Sequence, residues 1–164
     1  MNIIRVTDRE MIEAVAALAL DIWPAHYTPI IGRPQVDYML EKFQSPAAIR
    51  AQIADGLEYY LFVEDGCMAG YMAILPEPAE GRMLLSKFYV GSRFRGRGFG
   101  RAALMFVEEL CRKLALKVLW LTVNRFNPTV AVYEALGFLK AGELQTDIGN
   151  GFILDDYIME KTIG

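Results

Sequence analysis

Residues 92–104, SRFRGRGFGRAAL, restrict the fold of this chain more than any other stretch. They hold three glycines and four arginines, and they follow an apolar segment, MLLSKFYV. A helical pattern comes next, because apolar residues recur at helical spacing from Ala103 to Leu114. A glycine-rich turn between a strand and a helix exposes backbone N–H groups at the positive end of the helix dipole. The stretch therefore predicts a strand–turn–helix unit that holds an anionic group.

Three kinds of phosphate-binding loop compete for this stretch. The P-loop of nucleotide hydrolases is excluded, because GSRFRGRG lacks its final lysine and hydroxyl residue. The dinucleotide fingerprint fits GFGRAA, residues 98–103, but the next strand ends in Asn124 where that fold needs an acidic residue. The third pattern is glutamine or arginine, two residues, glycine, one residue, then glycine or alanine. RGRGFG, Arg95 to Gly100, matches it in full, and loops with this pattern bind the pyrophosphate of acetyl-coenzyme A (acetyl-CoA).

Composition excludes several classes of protein and site. The 164 residues, 54% hydrophobic and 23% charged, are typical of one globular domain, expected over residues 1–164. The net charge of −3 argues against a nucleic-acid partner. No window approaches about eighteen uncharged apolar residues, so we expect no membrane span. Charged residues interrupt the N-terminal segment where a signal peptide would be apolar, which favours a cytoplasmic location. A single histidine, His26, and two cysteines without metal-like spacing argue against a bound metal.

The first half of the chain predicts a mixture of helices and strands. Residues 2–6 predict a strand, and Thr7 or Asp8 is expected to cap the helix that follows. The proline-rich stretch WPAHYTPIIGRP, residues 23–34, predicts a loop, after which QVDYMLEKF and PAAIRAQIA predict two short helices. Asp65-Gly66 predicts a hairpin between the strands EYYLFVE and CMAGYMAIL.

The second half predicts one crossover followed by two final strands. MLLSKFYV and VLWLTV predict strands, and residues 98–116 and 128–136 predict helices. FLKAGEL and FILDDYIMEK predict two last strands around the turn DIGNG. The expected domain is therefore α+β, with a largely antiparallel sheet and one strand–loop–helix–strand crossover.

Three stretches together resemble one known family. LLSKFYVGSRFRGRGFGRAAL, LWLTVNRFN and VYEALGF occur in the order and at the spacing found in the GNAT superfamily of N-acetyltransferases, and the resemblance covers residues 58–161. It implies an α+β, GNAT-like fold: a central, mostly antiparallel mixed sheet of about seven strands, with a parallel splayed pair, flanked by about four helices. It also implies acetyl-CoA as cosubstrate and a primary amine as acceptor.

The resemblance places the cofactor between two strands, 84–90 and 118–124, that splay apart. It implies that backbone groups near a bulge of the first strand contact the pantetheine arm, and that loop amides and arginines contact the phosphates. The cofactor-binding residues implied are Phe88, Tyr89, Val90, Arg95, Gly96, Arg97, Gly98, Phe99, Gly100, Arg101, Asn124 and Asn127. Asn127 also suits the N-cap of the next helix. It stands six residues before Tyr133, where the family usually has one more.

Tyr133 matches the family tyrosine that gives a proton to the departing sulfur. A phenol with an ordinary pKa near 10 is protonated at neutral pH and can donate. The alternative is that this ring only packs beside Phe138. A backbone amide near Tyr89 or Val90 would meet the oxyanion. The general base stays open, because the strand before the loop has no acidic residue, and the acidic residues available elsewhere are Glu58, Asp147, Asp155 and Asp156.

The resemblance implies that the first two helices and their connection frame the acceptor site. The residues expected there, Trp23, His26, Tyr27 and Tyr38, are aromatic enough to hold a cation or a flat group, although any packed loop would contain such residues. The expected function is acetyl transfer to a primary amine by direct attack in a ternary complex, since no cysteine or serine is placed as a nucleophile. The alternative is a non-catalytic acyl-CoA sensor or regulatory protein. A homodimer is expected, because edge strands of such sheets pair across a two-fold axis.

Overall fold

The computed structural model describes residues 1–164, which form seven β-strands and five α-helices. The strands are β1 (Asn2–Arg5), β2 (Glu58–Glu64), β3 (Cys67–Glu77), β4 (Arg82–Val90), β5 (Val118–Asn124), β6 (Leu139–Gly149) and β7 (Phe152–Thr162). The helices are α1 (Arg9–Ile31), α2 (Arg33–Gln44), α3 (Pro46–Ala54), α4 (Phe99–Lys113) and α5 (Thr129–Ala135). The strands follow the hydrogen-bonded order β1-β2-β3-β4-β5-β7-β6, and β4 runs parallel to β5. The predicted α+β fold is confirmed, with five helices in place of about four.

By backbone contacts the chain divides into two compact units. The first unit consists of Met1–Leu75 with Lys87–Ala103, and the second of Pro76–Ser86 with Leu104–Gly164. Each unit encloses large side chains that are inaccessible to water. Those of the first include Trp23, Tyr59, Phe62 and Tyr71, and those of the second include Met83, Leu119, Leu121 and Phe138.

In the first unit, two antiparallel pairs join β1 to β2 and β2 to β3. The β2–β3 hairpin turns at Asp65 and Gly66, whose φ angles are 48° and 75°. Positive φ at both central residues is the signature of a type I′ turn, whose twist matches that of the flanking strands. The hairpin predicted from these two residues is confirmed.

Helix α1 extends much further than the sequence predicts. Asp8 caps it as expected, since Asp8 Oδ1 accepts a hydrogen bond of 2.9 Å from the Met11 amide. The loop predicted over residues 23–34 is wrong, because α1 continues through Pro24 and Pro29 to Ile31. Each internal proline removes a backbone hydrogen bond, but the same segment buries Ile22 and Trp23 on the face that begins with Ile12 and Val15. Packing of that face therefore outweighs the local cost of the prolines.

In the second unit, β7 pairs antiparallel with both β5 and β6. Strand β6 reaches Gly149, so it includes part of the predicted DIGNG turn, and the reversal falls at Asn150 and Gly151. The parallel β4–β5 ladder consists of three pairs, from Arg82↔Val118 to Leu84↔Trp120, although β5 continues to Asn124. The end of β5 is thus hydrogen-bonded to β7 on one side, beyond the point where its ladder with β4 stops.

Candidate active site

The predicted phosphate loop connects the end of β4 to the start of α4, within the first unit. Gly96 and Gly98 have φ angles of 75° and 84°, in the left-handed region that favours glycine. Apart from its neighbours in the chain, a Cβ atom at either position would meet nothing within 4 Å, so there is open space beside both glycines. The first helical hydrogen bond runs from the Ala102 amide to the Gly98 carbonyl. The amides before it belong to the helix N-terminus, where N–H groups have no partner inside the helix.

Aromatic rings hold the arginines of this loop. The guanidinium groups of Arg93 and Arg97 lie 5.5 Å and 5.6 Å from the centre of the Phe94 ring. The Phe94 ring packs edge-on against Phe99, whose side chain is buried at the start of α4. Arg95 donates through Nε to the Val90 carbonyl at 3.2 Å. The loop therefore presents exposed positive charge on an anchored frame, as recognition of phosphate requires.

The end of β4 is fixed by its side chains. The Phe88 ring packs against Phe62, with ring centres 6.3 Å apart. The Tyr89 hydroxyl forms a hydrogen bond of 2.7 Å with the Tyr27 hydroxyl, and its ring lies 5.4 Å from that of Tyr71. These contacts orient the backbone of residues 88–90, which the resemblance assigns to cofactor binding.

Trp23 lies behind the other aromatic residues predicted for the acceptor site. Its side chain is only 2% exposed, and its Nε1–H donates to the Tyr71 hydroxyl at 2.9 Å. Burial raises the pKa of Tyr71 well above its ordinary value, so this hydroxyl stays protonated and passes a hydrogen bond to Gln44. The Trp23 ring is packed 5.1 Å from that of Tyr27. Trp23 thus supports Tyr27 from within the core, where it has little surface for a substrate.

The other three predicted acceptor residues are half-buried. His26 packs edge-on against Tyr27 in α1, with ring centres 4.8 Å apart. Tyr38, in α2, accepts a hydrogen bond of 3.3 Å from Lys42 Nζ. Partial exposure leaves these rings able to contact a ligand.

Lys87 is a residue that the sequence reasoning missed. It is half-buried on β4, and alternation along the strand puts it on the same face as Tyr89. Burial lowers its pKa to about 8. The sequence signal for Lys87 is that it interrupts the otherwise apolar run MLLSKFYV. This is the strand before the loop, which has no acidic residue to serve as the general base.

In the second unit, Asn124 and Asn127 shape the connection from β5 to α5. Asn124 Oδ1 accepts from the Phe126 amide at 2.9 Å, and Asn127 Oδ1 accepts from the Thr129 amide at the same distance. Asn127 is buried, and the amide that it satisfies belongs to Thr129, the first residue of α5. The predicted helix began one residue earlier, at Pro128. The N-cap position itself is occupied by Pro128, and Asn127 acts from one residue before it. The Asn127 side-chain N–H₂ is the group that a cofactor would use.

Tyr133 is half-buried on α5, beside Phe138, the ring that the alternative interpretation gave as its packing partner. The two rings are 5.5 Å apart in an edge-on arrangement, and the Phe138 amide donates to the Tyr133 carbonyl at 3.0 Å. Phe138 is fully buried, so the tyrosine ring rests on a fixed surface. A ring held in this way can place its hydroxyl reproducibly.

The four acidic residues that are candidates for the general base differ in their surroundings. Three are engaged elsewhere, namely Glu58 with Arg5, Asp147 with the Gly149 amide and Asp155 with Arg125. Asp156 is buried, with 7% exposure, and it pairs in register with Asn124 at the end of β5. Directly opposed residues of an antiparallel pair share a face of the sheet. Burial, reinforced by the neighbouring charge of Asp155, raises the pKa of Asp156 to about 6.

The structure contains neither a cluster of metal-ligating side chains nor a helix that could span a membrane. No group of three or more His, Cys, Asp or Glu side chains comes together in an arrangement that could hold a metal ion. Each helix is too short or too polar to cross a bilayer.

Comparisons with known proteins agree with the motifs. The model of the acetyltransferase (GNAT) family matches residues 15–138. No curated protein sequence matches the chain. Among solved structures, the PaiA N-acetyltransferase of Thermoplasma acidophilum, in complex with coenzyme A, matches with a TM-score of 0.77 at 19% identity, over 99% of each chain. A GCN5-related N-acetyltransferase of Rhodopseudomonas palustris matches with a TM-score of 0.82 at 16% identity, over 98% of this chain and 94% of its own.

A third structure is the ribosomal-protein-alanine N-acetyltransferase of Brucella melitensis, with a TM-score of 0.69 at 24% identity over 99% of each chain. At such identities these likenesses concern the fold. The family model, in contrast, spans well over half of the sequence. The chain therefore belongs to the GNAT family of acetyltransferases.

Proposed function

We propose that this chain transfers the acetyl group of acetyl-CoA to a primary amine, by direct attack in a ternary complex. The observation that carries the proposal is the loop of residues 95–100, which has the family motif, two glycines in the left-handed region and the N-terminus of α4 behind it. GNAT acetyltransferases use acetyl-CoA as the acetyl donor. The net negative charge of the chain favours a cationic acceptor.

In this proposal the loop amides and the arginines bind the phosphates of the cofactor. The pyrophosphate accepts from the amides of Phe99, Gly100 and Arg101, and the guanidinium groups neutralise its charge. The backbone at Tyr89 and Val90 contacts the pantetheine arm and donates to the oxyanion. The Asn127 side-chain amide adds one donor.

We assign two of the proton transfers that the reaction needs to Asp156 and Tyr133. An ammonium acceptor loses its proton to a base before its lone pair can attack. The nitrogen then bonds to the thioester carbonyl carbon, a second proton leaves the nitrogen for solvent, and the tetrahedral intermediate collapses as the carbon–sulfur bond breaks. The thiolate takes a proton from the Tyr133 hydroxyl, which solvent later restores. The products are an N-acetylated amine and free coenzyme A.

Asp156 is the acidic residue best suited to accept the proton. Its carboxylate has no salt bridge that would lower its basicity, and its pKa of about 6 leaves it mostly ionised at neutral pH. A base whose pKa lies close to the working pH is an effective proton acceptor. The alternative function is a sensor that binds acyl-CoA without turnover. It is supported by the lack of an acidic residue in β4, where Lys87 lies and no acidic general base is present.

The experiment that tests the cofactor assignment is Gly98→Val. We expect the affinity for coenzyme A to fall at least about tenfold by calorimetry, because the side chain occupies the space before the helix amides. Gly66→Val is the matched control: it also has a φ near that of Gly98 and open space around its Cβ, so backbone strain is similar. A folded Gly98→Val protein with unchanged affinity would contradict the assignment.

A further inference from the structure

Gly70, in β3, lies under the end of β4 at a distance that no side chain could tolerate. A Cβ atom built on Gly70 would lie 2.2 Å from the Tyr89 carbonyl oxygen and 3.0 Å from Val90 Cα. It would also lie 3.1 Å from the Phe62 ring. The φ angle of Gly70 is one that other residues adopt, since it falls outside the left-handed region. Glycine is therefore required here for space and not for backbone conformation.

The close contact shows that β4 departs from a regular strand at this point. In a regular antiparallel ladder a carbonyl points along the sheet toward an N–H of the neighbouring strand. The Tyr89 carbonyl lies instead where the side chain of residue 70 would stand. The Gly91 amide, two residues on, donates to the Ala69 carbonyl at 2.7 Å. An irregular, bulge-like segment at Tyr89 and Val90 is thus held between contacts with Gly70 and Ala69.

Strand β3 is itself adjusted to this segment. Its register with β2 shifts between Phe62↔Gly70 and Val63↔Met68, so Ala69 is an extra residue in β3. An extra residue bends a strand and re-aims its neighbours. The bend presents the Ala69 carbonyl and the bare Cα of Gly70 to the end of β4.

The same segment of β4 leads into the phosphate loop. The Val90 carbonyl accepts from Arg95 Nε, and the Tyr89 hydroxyl is bonded to Tyr27. A shift of Tyr89 and Val90 would therefore displace backbone groups that the proposed function assigns to the pantetheine arm. The three atoms nearest to a Cβ on Gly70 belong to Tyr89, Val90 and Phe62. Arg97 and Phe99 are held by Phe94 instead, so the phosphate site would be less affected.

We propose that Gly70 is a positioning residue for the pantetheine arm of the cofactor. Its missing side chain makes room over β3 for the Tyr89 carbonyl, so that the Val90 N–H, which points the opposite way across the trans peptide bond, faces the arm. Gly70 itself touches no part of the cofactor. The inference rests on the proposed function, because it assumes that coenzyme A binds along β4.

The test compares coenzyme A with adenosine 3′,5′-bisphosphate, which carries the nucleotide end of the cofactor and lacks the pantetheine arm. For Gly70→Ala we expect calorimetry to show about a tenfold or greater loss of affinity for coenzyme A, and a change within about twofold for the bisphosphate. A substitution that only lowered thermal stability would affect the affinities for both ligands equally. Gly142→Ala is the matched control, since it adds a methyl group to a strand glycine with an ordinary contact of 3.7 Å to Ile158. We expect it to bind both ligands normally.

Equal affinities for coenzyme A in Gly70→Ala and the wild type would overturn the role of Gly70, and so would equal losses for both ligands. If Gly70→Ala does not fold, the wild type still decides the question by NMR. Coenzyme A should shift the amide resonances of Gly70, Tyr89 and Val90, and the bisphosphate should leave them in place. Unmoved resonances with coenzyme A bound would overturn the role. A wild-type protein that binds neither ligand would instead refute the proposed function, and the role of Gly70 with it.

Discussion

Tyr133 is the residue whose removal tests the chemistry most directly. In Tyr133→Phe the ring still packs on Phe138 and only the hydroxyl is lost, so the dissociation constant for acetyl-CoA should be almost unchanged. Turnover should fall by on the order of 10²-fold if the general acid is removed in full. A fall in kcat and kcat/KM together indicates an interaction made only in the transition state. The measurement is a screen of amines with free-thiol detection, followed by steady-state kinetics.

Tyr60→Phe is the matched control for this substitution. Tyr60 is a buried tyrosine whose hydroxyl donates to Glu58 on β2, and the proposed mechanism makes no use of it. We expect its kinetics to equal those of the wild type. Equal turnover by Tyr133→Phe would reduce Tyr133 to a packing residue. Tight binding of coenzyme A with no turnover on any amine would favour the sensor.

The burial of Asp156 leads to a prediction about stability, which can be tested without knowing the acetyl acceptor. Its pKa is about 6 in the folded chain and 3.8 when unperturbed. The folded state therefore binds more protons between these values, and stability is lost as the pH rises through that window. Asp156→Asn removes this cost, so its free energy of unfolding at pH 8 should exceed that of the wild type by on the order of 1–3 kcal/mol. The gain should vanish below about pH 4. Urea unfolding at both pH values measures it.

The charges around Asp156 supply the control. Asp155 raises its pKa, while Arg125 pairs with Asp155 and with Glu143 on β6. Asp155→Asn breaks a salt bridge and should not stabilise the protein at pH 8. In kinetics, the wild type should show a rise of kcat/KM with pH near 6, and Asp156→Asn should lose it. A difference in stability between wild type and Asp156→Asn that is independent of pH would contradict the burial argument.

At the scale of single elements, the sequence predicted correctly those features that depend on interactions between residues close together in the chain. Asp8 caps α1, and Asp65-Gly66 forms the hairpin, because in each case the residue type satisfies a backbone requirement within a few positions. The loop predicted over residues 23–34 failed for the opposite reason. Its prolines are a local signal, but Trp23 is buried by contacts with Tyr71 and Tyr89, which lie far along the chain.

The candidate site divides in the same way. The phosphate loop was predictable, since its glycines and arginines are adjacent in sequence and their spacing is the motif. Asp156 could only be singled out once strand register placed it opposite Asn124 and burial set its pKa. Gly70 gave no sequence signal that distinguished it from other strand glycines, because its role depends on the approach of the Tyr89 carbonyl. Tertiary contacts thus determine the parts of the site that patterns miss.

At the scale of the whole molecule, the strand order leaves β1 and β6 at the edges of the sheet. β1 has only four residues, whereas β6 has eleven, eight of them exposed. Two of them are leucines, Leu139 at 75% exposure and Leu144 at 41%. A long edge strand with apolar side chains offers unpaired backbone groups and apolar area to another chain. We therefore expect β6 to be the edge used in self-association.

The resulting prediction is a homodimer whose two β6 strands meet across a two-fold axis. Light scattering at micromolar concentration should give twice the chain mass of 18.5 kDa. Leu144→Lys places a charge on each strand next to its symmetry mate, so like charges meet twice and the dimer should dissociate. Leu20→Lys makes the same change at an exposed position of α1, 64% accessible, and should leave the mass unchanged. A wild-type mass near 18.5 kDa would refute the dimer, and a dimeric Leu144→Lys protein would move the interface away from β6.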